Sequence, residues 1–468
     1  MSSIFTHRRM LLGCCILLFL LWLPGVHYPI VSDTAVYAVL GQNLWQHGTY
    51  SFFGEPYAKQ LPLYAFLSYP FVHMLGYGLG MKVSSLIAGF GVLVVTSLLL
   101  TKTMGRNIAL ATVLLLTLHH GFVLMAQLGS ADLLFAAFFL FAVYAYVRAG
   151  EEKSWYLSAF VLAGLASLTR YNGIPLFALF GCHTVLRRRS DVFSRLYLLG
   201  LGLGLGIAGS WFLRNFLVFG NPFYNEYTGE LAQESLGFFQ QVVSNVIFYA
   251  HPMRNILPVL LLGAVIGLWK EGKKQGFLVF VMLTAWLLTS FWWVQGMRFA
   301  FPGYPILIGF GVCGLFAVCR GRHRLGYLVI AALLLSHVSA LCLYSYGACN
   351  AWFDRTVGIL PKNMGLSSEG FYTWSLARDY INEHAEERSF VDASSKLLAH
   401  VWQESVFRKD LQVVEHIDAV CPAYRIAAEP VLRQAQDGSR QAPEPEGGEV
   451  VFATQDAPQW FVVYYSCE

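Results

Sequence analysis

The stretch KVSSLIAGFGVLVVTSLLLTK, residues 82–102, indicates whether this chain folds in water or in a lipid bilayer. Between its two terminal lysines it carries no charge, and a helix of this length crosses a hydrocarbon core about 30 Å thick. Over all 468 residues, 56% are hydrophobic and only 13% are charged, and the mean hydropathy is +0.52. Soluble domains carry about 25% charged residues. The sequence therefore predicts a polytopic α-helical membrane protein, with no nucleic-acid partner.

Similar apolar stretches recur along the first three quarters of the chain and predict about eleven transmembrane helices. They are residues 10–30, 82–101, 107–127, 131–147, 155–170, 173–186, 196–217, 255–269, 276–293, 299–318 and 325–346. The segment Leu61 to Tyr77 is also apolar, but Pro62 and Pro70 disfavour an uninterrupted membrane helix. It is therefore predicted to be interfacial or re-entrant. The run GLGLGLG at 200–206 lies inside a span and indicates helix packing rather than phosphate binding.

The orientation of the chain follows from its lysines and arginines, because cytoplasmic loops are enriched in them. Alternate loops hold nearly all of the basic clusters. They are Arg8 and Arg9, Lys102 and Arg106, Arg148 and Lys153, Arg187 to Arg189 with Arg195, Lys270 with Lys273 and Lys274, and Arg320 with Arg322 and Arg324. The amino terminus is thus predicted inside and the C-terminal tail outside.

The predicted organisation is a transmembrane domain, residues 1–347, followed by a small extracytoplasmic α/β domain, residues 348–468. In the tail, 460–465 is a strand candidate, and 433–449 is predicted to be a disordered insertion. Three cysteines outside the spans would allow one disulfide and leave one thiol. They are Cys349, Cys421 and Cys467.

The first outer loop, about residues 31–81, is long for a simple connection, and long loops are often functional. Thr34 to His47 has apolar residues at helical spacing and is predicted to form an interfacial helix. A second long outer loop follows at about 218–254.

Six basic residues fall on the outer side, where orientation disfavours them. They are Lys59, Lys82, Arg170, Arg214, Arg254 and Arg298. Snorkelling to the interface explains any one of them. Together they favour a cationic rim that binds a shared anionic ligand, since charges near the membrane are costly.

Two outer acids are candidates for chemistry. Asp33 precedes the interfacial helix, so it is either a helix cap or a general base. Asp132 opens a span, where an acid also suits the helix dipole. The two carboxylates could share a divalent metal, but without a cysteine-histidine cluster no metal is expected to be obligatory. The intramembrane pair His119 and His120 is either functional or a packed pair.

The first loop, SDTAVYAVLGQNLWQHGTYSFFGEPYAKQLPLYAFL (32–67), resembles that of polyprenyl-phosphate-sugar-dependent glycosyltransferases of the GT-C superfamily, which contains protein mannosyltransferases and the lipid A aminoarabinose transferase. The matching residues are Asp33, Tyr37, Lys59, Pro62 and Leu63. The family's Lys-Pro-Pro element is Lys-Gln-Leu-Pro here, which is a departure at Lys59.

Three further stretches carry the resemblance, which covers about residues 10–320. They are GSADLLFAAFF with Asp132, LAGLASLTRYNGIP with Arg170, and RFAFPGYPILIGFG with Arg298.

The resemblance implies a GT-C fold and an inverting sugar transfer. The donor would be a polyprenyl phosphate sugar, in bacteria carried by undecaprenyl phosphate, and the acceptor a hydroxyl on a glycan, lipid or protein. The reaction would take place at the outer face of the bacterial inner membrane, with no obligatory cofactor.

The site residues follow from the same resemblance. Asp33 would be the base and Asp132 a second catalytic acid, while three cations would bind the donor phosphate. These are Lys59, Arg170 and Arg298. Arg214 and Arg254 match no family motif and are weaker candidates for substrate contacts. The aromatic residues Tyr37, Trp45, Tyr57 and Trp292 could flank the sugar, although interfacial aromatic belts are the commoner explanation.

Two other classes of function stay open. A transporter or flippase of lipid-linked saccharides would show repeated halves, broken helices and midplane polar sites; the sequence shows none clearly. A non-catalytic envelope assembly protein would use the rim only to bind anionic lipid.

Overall fold

A computed structural model gives the architecture of part of the chain. It describes residues 2–27, 30, 33–52, 54–225, 238–250, 258–290, 296–319, 328–335, 377, 380–392, 411–414, 423–430, 449–453 and 459–466.

The described residues form a helical body followed by a small sheet. The helices are α1 Ser2–Trp22, α2 Asp33–His47, α3 Pro62–Leu75, α4 Tyr77–Thr103, α5 Arg106–Thr117, α6 His120–Leu128, α7 Ala131–Ala149, α8 Trp155–Thr169, α9 Pro175–Arg187, α10 Arg195–Phe219, α11 Phe238–Ala250, α12 Pro258–Glu271, α13 Gly276–Ser290, α14 Met297–Ala300 and α15 Tyr304–Val318. Short 3-10 turns occupy Leu23–His27, Tyr171–Gly173, Arg189–Asp191 and Phe301–Gly303.

The helical body is that of an integral membrane protein, but the count of eleven spans is not confirmed. Within the described ranges, five helices are long and apolar enough to cross a bilayer. They are His7–Val26, Tyr77–Thr103, Ala131–Ala149, Arg195–Phe219 and Met297–Val318. α5 and α6 form a pair bent by 57° that counts as a sixth if it is one span. Trp155–Thr169 and Gly276–Leu287 are shorter apolar helices.

The bend between α5 and α6 corrects two expectations. Residues 107–127 were expected to form one helix, and no broken helix was evident from the sequence. The chain instead leaves helical geometry at His119, which has φ −73° and ψ 119°. The backbone N–H of His119 still donates to the carbonyl of Leu116 at 3.0 Å. The break is therefore stabilised by a local turn.

The segment before α4 forms a 14-residue helix, α3, too short to span the bilayer. Pro62 lies in its first turn, where proline is tolerated, and Pro70 lies inside it. This agrees with the predicted interfacial segment. The predicted helix before it, α2, is confirmed, but it is more buried than expected: Val36 and Leu40 lie in the core.

Glycines set the closest helix contacts. A Cβ on Gly41 of α2 would lie 2.5 Å from the carbonyl oxygen of Ala65 in α3. On α10, a Cβ on Gly200 would lie 2.8 Å from the carbonyl oxygen of Tyr156 in α8, and one on Gly204 would collide with that of Phe160. The glycine run at 200–206 thus serves helix packing, as predicted.

The sheet of the tail has five strands: β3 Phe390–Asp392, β4 Gln412–Val414, β5 Ala423–Pro430, β6 Glu449–Ala453 and β7 Gln459–Ser466. Their order is β4-β3-β5-β7-β6. β3 is parallel to β4 and β5, whereas β7 is antiparallel to β5 and β6.

β7 contains the predicted strand 460–465. The buried residues Ile381 and Val391 belong to the same hydrophobic cluster as α2 and α3. The domain boundary at 347/348 stays a prediction, and the three tail cysteines and nearly all of 433–449 lie outside the described residues.

Candidate functional site

Four of the predicted residues meet where several helices end. Asp33 is the first residue of α2, and Asp132 lies in the first turn of α7. Arg170 follows the last residue of α8 in an extended conformation, and Arg298 lies in the short helix α14. The helix ends bring two acids and two arginines together as two ion pairs.

The first pair joins Asp33 and Arg298. An Nη1 atom of Arg298 lies 3.4 Å from Oδ2 of Asp33, with the side chains 41% and 31% exposed, respectively. The amide Nε2 of Gln60 donates to the other oxygen, Oδ1, at 3.1 Å. The carboxylate is therefore held from two sides and is still reachable by a substrate.

The second pair joins Asp132 and Arg170. Nη2 of Arg170 lies 2.6 Å from Oδ1 of Asp132, whose side chain is only 1% exposed. Ser130 caps α7: its Oγ accepts from the backbone N–H of Asp132 at 3.1 Å and also donates to the Asp132 carboxylate. This geometry suits an acid in the first turn of a helix that orients Arg170, rather than one that touches a substrate.

Phe299 links the two pairs. The guanidinium carbon of Arg170 lies 5.5 Å from the centre of its ring, and that of Arg298 lies 4.8 Å from the same centre. Both distances are within the range of cation–π attraction. One aromatic ring thus holds the two cations near each other without a direct contact between them.

A chain of hydrogen bonds supports Asp33 from the loop before α3. The Tyr57 hydroxyl donates to Oε1 of Gln60, and the Tyr50 hydroxyl donates to the Gln60 carbonyl at 3.1 Å. Burial, with the nearby Tyr37 and Tyr57, raises the pKa of Tyr50 well above its ordinary value. Tyr50 therefore stays a hydrogen-bond donor at any physiological pH.

Arg214 braces this loop against α10. Its Nη2 donates to the Tyr50 carbonyl at 3.0 Å, and its Nη1 donates to Oδ1 of Asn215 at 3.0 Å. The guanidinium also lies over the rings of Tyr50, Trp211 and Phe219. These contacts fit a structural support for the site.

Three other predicted residues differ in burial and contacts. Lys82 is not part of a rim: it is fully buried, and its ammonium donates to the carbonyls of Gly25 and Val26 at 2.7 and 2.9 Å. Carbonyls at the end of a helix need such donors. Tyr37 is buried with its ring edge-on to Tyr64, 5.2 Å between centres, and Lys59 is half-buried beside Gln60.

Arg254 and Trp292 lie outside the described residues. Trp45 is exposed and stacks on Phe66, with 4.9 Å between ring centres.

The histidine pair lies at the α5–α6 break. The rings of His119 and His120 are buried and stack at 4.8 Å between centres. A Cβ on Gly121 would collide with the side chain of Met297, the neighbour of Arg298. The break is therefore packed against α14, which fits the interpretation of a packed pair.

Gln60 was not anticipated as a site residue. The available signal was its position: it follows Lys59 where the family's element continues with proline. As to a metal, the described residues contain no group of three or more His, Cys, Asp and Glu side chains that could hold one. Asp33 and Asp132 each have an arginine partner instead.

Comparison with known proteins identifies the fold. The family described as dolichyl-phosphate-mannose-protein mannosyltransferase matches residues 65–211, a stretch that includes Asp132 and Arg170. No protein of curated function matches the sequence.

Among solved structures, the chain is similar to ArnT from Cupriavidus metallidurans bound to undecaprenyl phosphate, with a TM-score of 0.60 and 15% identity over 97% of both chains. It is also similar to the oligosaccharyltransferase AglB from Archaeoglobus fulgidus in complex with an inhibitory peptide and a dolichol-phosphate. There the TM-score is 0.55 and the identity 11% over 87% of this chain and 64% of that one.

A third similar structure is the arabinofuranosyltransferase AftD from Mycobacteria, with a TM-score of 0.51 and 14% identity over 98% of this chain and 40% of that one. The resemblance to the GT-C superfamily is confirmed, and the chain has an ArnT-like GT-C fold.

Proposed function

We propose that this chain transfers a sugar, with inversion, from a polyprenyl phosphate to an acceptor hydroxyl at the outer face of the bacterial inner membrane. The observation that carries the proposal is the partly exposed Asp33 carboxylate, 3.4 Å from the Arg298 guanidinium. A base and a cation are then within reach of one bound substrate. The similarity to ArnT bound to undecaprenyl phosphate supports a lipid-phosphate donor.

The proposed chemistry is a single displacement at the anomeric carbon. Asp33 accepts the proton of the acceptor hydroxyl as its oxygen bonds to that carbon, and the bond from carbon to phosphate oxygen breaks. The leaving polyprenyl phosphate gains negative charge. Arg298 and Arg170, with Lys59, offset this charge, because charge-assisted contacts placed where charge develops lower the barrier most.

Asp132 has a supporting part in this proposal. Since it is buried and paired with Arg170 at 2.6 Å, it would keep that guanidinium oriented toward the phosphate. Tyr37 would contribute to the packing of the loop, and Tyr57 would hold Gln60 by its hydrogen bond. No step in the proposal needs a metal.

A sugar-transfer assay tests the proposal directly. Purified protein in lipid vesicles is offered radiolabelled polyprenyl-phosphate sugars and a panel of glycan, lipid and peptide acceptors. We expect Asp33→Asn to lower transfer by about 10²- to 10⁴-fold, the usual contribution of a general base, while donor binding persists. Glu55→Gln is the matched control, since Glu55 is an exposed acid of the same loop. Equal transfer by wild type and Asp33→Asn would rule out Asp33 as the base.

The α5–α6 break favours one second candidate, a transporter of lipid-linked saccharides, because broken helices are common in transporters. Sealed vesicles distinguish the two. A transporter would move a fluorescent polyprenyl-phosphate sugar between leaflets without an acceptor, whereas a transferase would consume the donor only when an acceptor is present.

A further inference from the structure

We propose that Gln60 is a positioning residue that donates a hydrogen bond to the Asp33 carboxylate and so keeps it correctly aimed. This inference rests on the proposed function, in which Asp33 is the base. It concerns a neutral side chain to which neither the sequence pattern nor the family resemblance gives a role.

The orientation of the Gln60 amide follows from its two partners. Its Nε2 lies 3.1 Å from Oδ1 of Asp33, and its Oε1 accepts from the Tyr57 hydroxyl. With the amide flipped, Oε1 would face the carboxylate, and two acceptors would oppose each other. Only the observed orientation satisfies both neighbours while Asp33 is ionised.

The backbone that carries Gln60 is fixed independently of Asp33. The Tyr50 hydroxyl donates to the Gln60 carbonyl at 3.1 Å, and the Tyr171 hydroxyl donates to the Ala58 carbonyl at 3.4 Å. The Gln60 side chain is itself only 4% exposed. A buried amide on an anchored loop loses little conformational freedom when it holds a partner.

Gln60 also differs from the other partner of Asp33. Arg298 is a cation that, in the proposed function, binds the donor phosphate, so the phosphate and Asp33 compete for it. The amide is uncharged, so an anionic phosphate competes for it far less than for the guanidinium. Gln60 would therefore keep Asp33 in place after the donor has drawn Arg298 away.

The decisive variant is Gln60→Glu, which keeps the size but places a carboxylate beside Asp33. Arg298 contacts Asp33 directly as an ion pair, and the titratable Tyr57 reaches it through Gln60. A second carboxylate raises the pKa of the first, because like charges disfavour ionisation. Since a base works deprotonated, we expect the acidic limb of the pH–rate profile to move up by about one pH unit or more.

Two further variants separate positioning from folding. Gln60→Met removes the amide at similar size, and we expect kcat to fall about 10- to 100-fold with little change in KM for the donor. Tyr57→Phe leaves Gln60 but frees its amide to turn, and we expect a smaller fall in kcat. Gln46→Glu is the control, because Gln46 of α2 is likewise hydrogen-bonded to a tyrosine but far from Asp33: its Nε2 donates to the Tyr69 hydroxyl at 2.8 Å, and it lies thirteen residues further along the helix.

Infrared pH titration gives a readout that does not need turnover. The Asp33 carboxyl signal is identified by its loss in Asp33→Asn, and its midpoint is compared in wild type and Gln60→Glu. A higher midpoint in Gln60→Glu supports the positioning role even if wild type transfers no sugar, an outcome that would sink only the proposed function. Coincident midpoints, or an unshifted acidic limb in a transferring enzyme, would overturn the role of Gln60.

Discussion

Asp33 and Asp132 have the same functional group and opposite surroundings. Asp33 is 31% exposed, whereas Asp132 is 1% exposed and lies under a helix cap. A buried carboxylate depends on its cation, while an exposed one is stabilised by water. The two acid–arginine pairs should therefore contribute to stability to very different extents.

The first prediction compares Arg170→Met with Arg298→Met. Removing Arg170 leaves the buried Asp132 charge without its cation, which typically costs about 3–5 kcal/mol. Removing Arg298 breaks a partly exposed pair worth about 1 kcal/mol or less. Thermal unfolding in detergent at pH 7 measures both. Equal losses of stability would contradict the assignment of the second pair as structural.

The second prediction concerns Lys82. In Lys82→Met, the carbonyls of Gly25 and Val26 lose the ammonium that reaches them at 2.7 and 2.9 Å. Buried polar groups left without partners cost about 1–3 kcal/mol each. Lys102→Met is the control, because Lys102 pairs with the exposed Glu151. The same unfolding assay should show a clear loss of stability only for Lys82→Met. Unchanged stability in Lys82→Met would indicate that water replaces the ammonium.

Helices are the level at which the sequence predicted most. Long apolar runs fixed the positions of α1, α4, α7 and α10, because hydrophobic length is a direct physical requirement of the bilayer. The break between α5 and α6 escaped prediction, since both halves are apolar. The break is held by the local turn at His119 and packs against Met297, with which a Cβ on Gly121 would collide.

The residues of the candidate site were likewise predicted only in part. Family motifs placed Asp33, Arg170 and Arg298 on one side of the membrane, and the fold brings them together. The pairing of Asp132 with Arg170 was not predictable, because it depends on how α7 and α8 pack. Gln60 was missed because a neutral amide in a loop suggests no chemistry by itself. Its position, where the family's Lys-Pro-Pro element departs, was the only signal, and the contact with Asp33 gives it a role.

The third prediction tests the close packing of α2 on α3. Gly41→Ala would place a Cβ 2.5 Å from the Ala65 carbonyl oxygen, so one helix must shift. Overpacking of this kind costs about 1–3 kcal/mol. Because Asp33 begins α2 about two turns away, sugar transfer should also fall.

The matched control for Gly41→Ala is Gly209→Ala. Gly209 of α10 has nothing within 4 Å of an added Cβ, and alanine is the better helix former. We expect this variant to keep or slightly raise the melting temperature. If Gly41→Ala also keeps or raises the melting temperature, α2 is not closely packed against α3.

Charged side chains form two separate groups, one at each end of α7. The C-terminal ends of α4 and α7 are joined by Lys102 and Glu151. Gln275, in the turn after α12, donates to the Thr103 carbonyl at 2.5 Å. The ion pairs of Asp33 and Asp132 involve the N-terminal ends of α2 and α7. Since α7 runs from one set of contacts to the other and is long and apolar enough to cross a bilayer, these contacts and the candidate site lie at opposite ends of a candidate span.

The fourth prediction assigns these two ends to the two sides of the membrane. In a background whose native cysteines are replaced by serine, Glu55→Cys lies in the β-hairpin (β1 Ser51–Phe52, β2 Glu55–Pro56) near the site, and Lys273→Cys lies in the exposed turn after α12. A membrane-impermeant maleimide should label Glu55→Cys in intact spheroplasts and Lys273→Cys only after permeabilisation, because basic loops stay cytoplasmic. Labelling in the reverse order would place Asp33 inside the cell, where an outward-facing transfer is impossible. Labelling of both positions in intact cells would mean that the two ends are not separated by the bilayer.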